Sequence, residues 1–118
     1  MIRYLVPLFL LTANVALAQD WALRDTDIVL TRGEVEDLTA GQTLVFYDDG
    51  QSKFSVGGAY SYTYANGGGT AYGQYDLAED GTVCIAYRNG FSRCDRYVRS
   101  GDRVVMLTEK GERFPIRP

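Results

Sequence analysis

Two cysteines ten positions apart, Cys84 and Cys94, flank the turn sequence Arg88-Asn89-Gly90, and their parity restricts how residues 82–98 can pair. Val83, Ile85 and Tyr87 alternate with smaller or polar residues before the turn, and Phe91 and Tyr97 carry a period of two after it, as two half-buried strands require. A two-residue loop at Asn89-Gly90 would set Cys84 opposite Asp95 and leave the sulfurs on opposite faces. A three-residue loop sets Tyr87 opposite Phe91 and Cys84 opposite Cys94, with both sulfurs on one face and within bonding reach. It also puts Gly90 in the left-handed region, which a residue without a Cβ enters at no steric cost. The stretch therefore reads as a β-hairpin stapled by a disulfide.

A disulfide presupposes an oxidising compartment, and the start of the chain supplies the route to one. Arg3 gives a positive beginning, residues 4–11 are almost wholly apolar, and Ala16-Leu17-Ala18 is a small-residue cleavage site. The apolar run is too short, and too interrupted by Pro7 and Asn14, for a transmembrane helix. We therefore expect a signal peptide over residues 1–18, a mature chain from Gln19 that does not span a membrane, and a periplasmic or secreted location. No cysteine stands at the cleavage point to take a lipid. Without the leader, 11 Lys and Arg face 15 Asp and Glu over residues 19–118, enough chain for one domain with a modest core.

Along the mature chain, residues 19–28 read as an extended lead-in whose Trp21 plugs against the domain. Thr31-Arg32-Gly33-Glu34 carries a capping box, and Leu30 and Val35 are spaced as a hydrophobic staple, which predicts a helix of about two turns over residues 32–39 ended by Gly41. Beyond Gly41, turn signals recur every eight to twelve residues, as in an antiparallel β-domain. Strands are expected over residues 43–47, 52–56, 59–65, 70–77, 82–87, 91–98, 103–108 and 113–116. Pro115 fits only an edge or terminal strand. The predicted fold is all-β: a small antiparallel meander or up-and-down barrel of seven to eight strands preceded by one short helix.

The run L-T-x-x-E-V-x-x-L-x-x-G-x-T over residues 30–43, Y-D-D-G at 47–50, G-Q-Y at 73–75, D-G-T-V-C at 80–84 and C-D-R-Y-V-R-S-G-D at 94–102 resembles a group of small exported bacterial proteins of unknown function. That group joins a short helix to a β-domain with paired cysteines and a G-x-W strand, where this chain has Tyr75. The resemblance implies export and fold, and brings no activity with it.

Histidine is absent, which removes the usual general base, the Ser-His and Cys-His nucleophile pairs and the commonest zinc ligand. Nine residues between the cysteines is far from the redox-active C-x-x-C spacing. Asp48-Asp49-Gly50 lacks the ligand spacing of a calcium loop and reads as a hairpin turn, and Gly67-Gly68-Gly69 joins two strands instead of opening a phosphate-binding helix. No catalytic residue, metal or cofactor is expected. Five arginines, Arg88, Arg93, Arg96, Arg99 and Arg103, fall within sixteen residues, but export and net acidity argue against nucleic acid. In the stapled register Arg93 and Asp95 share the face of Val83, Ile85 and Tyr87. Either that end of the strand meets water or an Arg-Asp pair lines the interior, and the cost of burying charge favours water.

Tyr60, Tyr62 and Tyr64 alternate with Ser61 and Thr63 and so project from one face, with Tyr72 and Tyr75 on the next strand. A loop over residues 66–69 would set Tyr62 opposite Gly73 and Tyr60 opposite Tyr75. These five tyrosines are the candidate binding surface, for an unknown ligand or protein partner. The expected function is an exported binding or interaction module without catalysis. The alternatives are a proteinaceous inhibitor of a cell-wall hydrolase and, after it, a carboxylate-based enzyme.

Overall fold

The computed structural model describes residues 21–118; the expected signal peptide over 1–18 lies outside them. Nine strands and one α-helix follow in the order β1 (Asp27–Val29), α1 (Arg32–Thr39), β2 (Thr43–Val45), β3 (Gln51–Phe54), β4 (Ala59–Thr63), β5 (Thr70–Leu77), β6 (Val83–Tyr87), β7 (Ser92–Ser100), β8 (Arg103–Thr108) and β9 (Arg113–Pro115). From β2 to β9 each strand pairs antiparallel with the next, so the chain is a meander curled into a half-barrel. Its two ends touch where Phe46 bridges Ile116 and the Arg117 N–H donates to the Val45 carbonyl at 2.8 Å. Arg117 tightens this seam by donating to the Phe46 and Tyr47 carbonyls and to the Asp49 carboxylate.

The stapled hairpin has the expected register. Cys84 lies opposite Cys94 and is bonded to it, Gly90 has φ +96°, and the Tyr87 N–H donates to the Phe91 carbonyl across the three-residue loop. The helix also starts where its cap requires. Glu34 N–H donates to Thr31 Oγ1 and Thr31 N–H donates to Glu34 Oε1, so two orphan donors are satisfied reciprocally. Leu30 and Val35 are both buried, and past the last turn Gly41 takes φ +73°. Thr31→Ala should cost about 1 kcal/mol, read from the shift of the urea midpoint at unchanged slope; an unchanged midpoint would make the box ornamental.

Between residues 21 and 30 the chain does more than lead in. β1 pairs with the second half of β7, from Asp27 opposite Ser100 to Val29 opposite Val98, along the edge that β6 leaves after Asp95. Asp27 takes a two-pronged ion pair from Arg113 at 2.8 and 2.9 Å, which ties β1 to β9. Hydrogen bonds from Arg113 hold the Asp27 carboxyl at about 2, below its ordinary 3.8. Trp21 covers Val98, Val105 and Leu107 on the outer face of β7 and β8, the plug its isolation in a polar segment suggests. The other core fills the half-barrel: Phe54, Tyr60, Ile85, Tyr97 and Met106 from the strands, closed at one end by Leu30 and Val35.

The β4–β5 connection departs from expectation. Tyr64 N–H donates to the Gly69 carbonyl around a 3-10 turn at Ala65–Gly67, so the loop begins two residues earlier than the glycine run suggests. The register slides by two, which sets Tyr60, not Tyr62, opposite Gly73, and Tyr62 opposite Ala71. A slide of two preserves which side chains face inward.

Candidate functional site

β7 is the floor of the site because it places Arg93, Asp95 and Tyr97 in succession on the inner face. The expectation that Arg93 and Asp95 meet water is overturned for Asp95, which is 0% exposed and accepts from Arg93 Nε at 3.1 Å, while the Arg93 side chain lines the cavity and keeps 32% of its surface exposed. What makes burial tolerable is a set of partners from distant strands. Arg93 Nη2 donates to the Tyr60 hydroxyl at 3.3 Å, which in turn shares a 2.8 Å hydrogen bond with Ser52 Oγ on β3. The Tyr60 oxygen has a second lone pair, so either hydroxyl can donate in the Tyr60–Ser52 bond. The guanidinium also lies 5.8 Å from the Tyr62 ring centre and 5.9 Å from that of Tyr87, where ring quadrupoles favour a cation.

Asp95 is nonetheless an uneasy carboxylate. Burial pushes it up to about 6, against the charge and hydrogen bond of Arg93, and nearby Glu109 adds to the rise. Its Oδ1 and the hydroxyl of fully buried Tyr97 accept or donate no hydrogen bond. Burial likewise raises the Tyr60, Tyr62, Tyr87 and Tyr97 hydroxyls, so all four stay protonated at neutral pH. Arg93 stays charged, its pKa raised because Asp95 and the surrounding tyrosines together outweigh the loss of water.

Over this floor is a cavity of about 410 Å³, opening at the end that carries the β2–β3 and β8–β9 turns, away from the helix. Phe46, Tyr62, Tyr64, Met106 and Phe114 supply its apolar walls, and Arg93, Asp95, Asp48, Glu109, Lys110 and Glu112 its charges. Tyr62 and Tyr64 meet edge to face at 4.9 Å. The Tyr62 hydroxyl end sits over Gly50, where a Cβ would collide with it, so the β2–β3 turn fixes that ring in the wall.

The five candidate tyrosines divide among three places. Tyr62 and Tyr64 line the cavity. Tyr60 lies beneath it, and Tyr75 packs on Phe54 at 5.0 Å while donating to the Ser55 carbonyl. Tyr72 is on the opposite face: it pairs with Ser61, is 52% exposed, and has the Arg88 guanidinium 5.4 Å from its ring centre. The alternation of β5 puts Tyr72 and Tyr75 out of phase, a sign already readable in their odd spacing. The charged rim at Glu109 and Glu112 had no signal beyond two acids in a turn, since what makes it part of a site is the turn's position over β7.

A larger hollow of about 730 Å³ follows the seam between β2 and β9. Its two arginines are already engaged, with Arg103 and Arg117 lying 5.2 and 5.5 Å from the Tyr47 ring centre. Among the described residues no helix is long and apolar enough to cross a membrane, and no three acidic, cysteine or histidine side chains gather as metal ligands. No protein-family model matches this chain, and neither a curated protein nor a solved structure does.

Proposed function

We propose that this is an exported binding module that takes a small ligand in the half-barrel cavity, with catalysis forming no part of its role. The observation carrying this reading is the combination of an aromatic-walled cavity with charged groups fixed at its base by packing and hydrogen bonds. A volume of 410 Å³ falls in the range of small-molecule sites, and such sites join apolar walls to a few positioned polar groups. Export is supported by the disulfide, by the leader pattern of residues 1–18 and by the resemblance to small exported proteins. Native mass spectrometry of the protein isolated from its own compartment tests the binding reading. We expect a non-covalent small-molecule adduct that weakens by roughly fivefold or more in Tyr64→Phe, with the melting temperature unchanged, because that ring is half-exposed and its hydroxyl holds nothing else. A bare protein mass, together with cavity amide resonances that no small molecule in a fragment set shifts, would overturn it.

A further inference from the structure

The cavity's charges select among ligand classes. Outside the buried pair, its charged side chains are three acids, Asp48, Glu109 and Glu112, and one base, Lys110. Phe46, Tyr62, Tyr64 and Phe114 surround them with rings whose faces attract positive charge. An independent observation points the same way: Asp95 Oδ1 is buried in the cavity wall and accepts no hydrogen bond, an acceptor that lacks a donor. Arg93 does not reverse the balance. Its Nε is committed to Asp95 Oδ2 and its Nη2 to Tyr60, so the carboxylate it touches offsets its charge.

We propose that the cavity binds an organic cation, a primary ammonium or guanidinium carried on an apolar body, with the body between the Tyr62–Tyr64 pair and Phe114 and the charge set against Glu109 at the rim, within the field of the Asp95 carboxylate in the wall beneath. This rests on the cavity being a ligand site, and it names the class of ligand. Protonation of Asp95 would remove part of the attraction. The groups facing that carboxyl are Arg93 and Tyr97 on its own strand, Tyr87 on β6 and Glu109 after β8, of which the tyrosines stay neutral and Arg93 stays charged. Affinity for a probe that stays protonated over this range therefore falls on acidification.

Three probes of one shape separate the possibilities: benzylammonium, benzyl alcohol and benzoate, titrated into the disulfide-bonded protein while the amides of Ser92, Cys94 and Glu109 and the Met106 methyl are followed by NMR. We expect benzylammonium to bind at least about tenfold more tightly than benzyl alcohol, and benzoate most weakly. Between about pH 7.5 and about pH 5, affinity for benzylammonium should drop several-fold as Asp95 takes up a proton. Asp95→Asn should remove that pH dependence; Glu109→Gln, on the rim and without a core to disturb, should weaken benzylammonium alone. Equal or tighter binding of the alcohol or of benzoate would overturn the cationic assignment while leaving a ligand cavity. Silence of all three probes at these signals would count against the cavity itself.

Discussion

Arg93→Met is expected to lower stability at neutral pH by about 2 to 4 kcal/mol, somewhat under the cost of breaking a fully buried ion pair because the Arg93 side chain is itself 32% exposed. The methionine fills much of the arginine's volume, so what remains is an Asp95 carboxylate with 0% exposure and no cation. With Arg93 in place the carboxyl already sits at about 6 against an ordinary 3.8, so the native state binds the more protons between those values. Stability therefore rises as pH falls through that window. Removing Arg93 takes away the two influences that lower the Asp95 pKa and moves it higher still. The loss should consequently be largest near neutrality and shrink at about pH 5, where the stranded group is neutral. Arg93→Met combined with Asp95→Leu should recover most of the stability, because two apolar groups need no compensation in that interior. Urea titrations of the three proteins at both pH values check this. An equal loss at both, or a double variant no better than the single, would mean that the pair contributes through something other than charge.

Gly73→Ala should cost about 3 kcal/mol or more, for a reason of space and not of charge. Gly73 on β5 lies between Tyr60 on β4 and Tyr87 on β6, and those two rings meet across it at 6.0 Å, edge to face. A Cβ there would run into the Ala86 carbonyl oxygen and come within 2.9 Å of the Tyr87 Cα. Both are backbone atoms of the neighbouring strand, so neither can swing aside, and β5 and β6 have to move apart there. Gly50→Ala is the instructive contrast. There the obstructing atoms belong to the end of the Tyr62 side chain, which can rotate, so stability should change far less. Comparable melting temperatures for Gly73→Ala and the parent protein would show that β5 and β6 can separate at little cost.

What the chain reveals before folding depends on how local the deciding interaction is. The capped helix and the stapled hairpin are legible because residues three apart settle one and cysteine parity across a three-residue turn settles the other. The direction of Tyr60, Tyr62 and Tyr64 is legible for the same reason, since alternation survives a slide of two. Their pairing partners are not: the 3-10 turn at Ala65–Gly67 lengthens the loop without any feature that distinguishes it from a glycine hairpin. The interior position of Arg93 and Asp95 is the instructive miss. Desolvation argues for water at those residues taken alone, and the argument fails only because Tyr60, thirty-three positions earlier, brings a hydroxyl to the guanidinium and Ser52 steadies that hydroxyl. β1 is invisible for a related reason, as nothing in Asp27-Ile28-Val29 names a partner near the other end of the chain.

That distant pairing has a consequence for assembly in time. A ribosome releases residues 27–29 long before residues 98–100, so β1 has no edge to join until roughly 70 further residues have appeared. From β2 to β9 each strand finds its next neighbour within one short turn of synthesis. Trp21, whose cover of Val98, Val105 and Leu107 needs the same late strands, waits with it. The beginning of the described chain thus waits for strands made far later, and a chain that stops short of Ser100 leaves β1 without the full strand it pairs with.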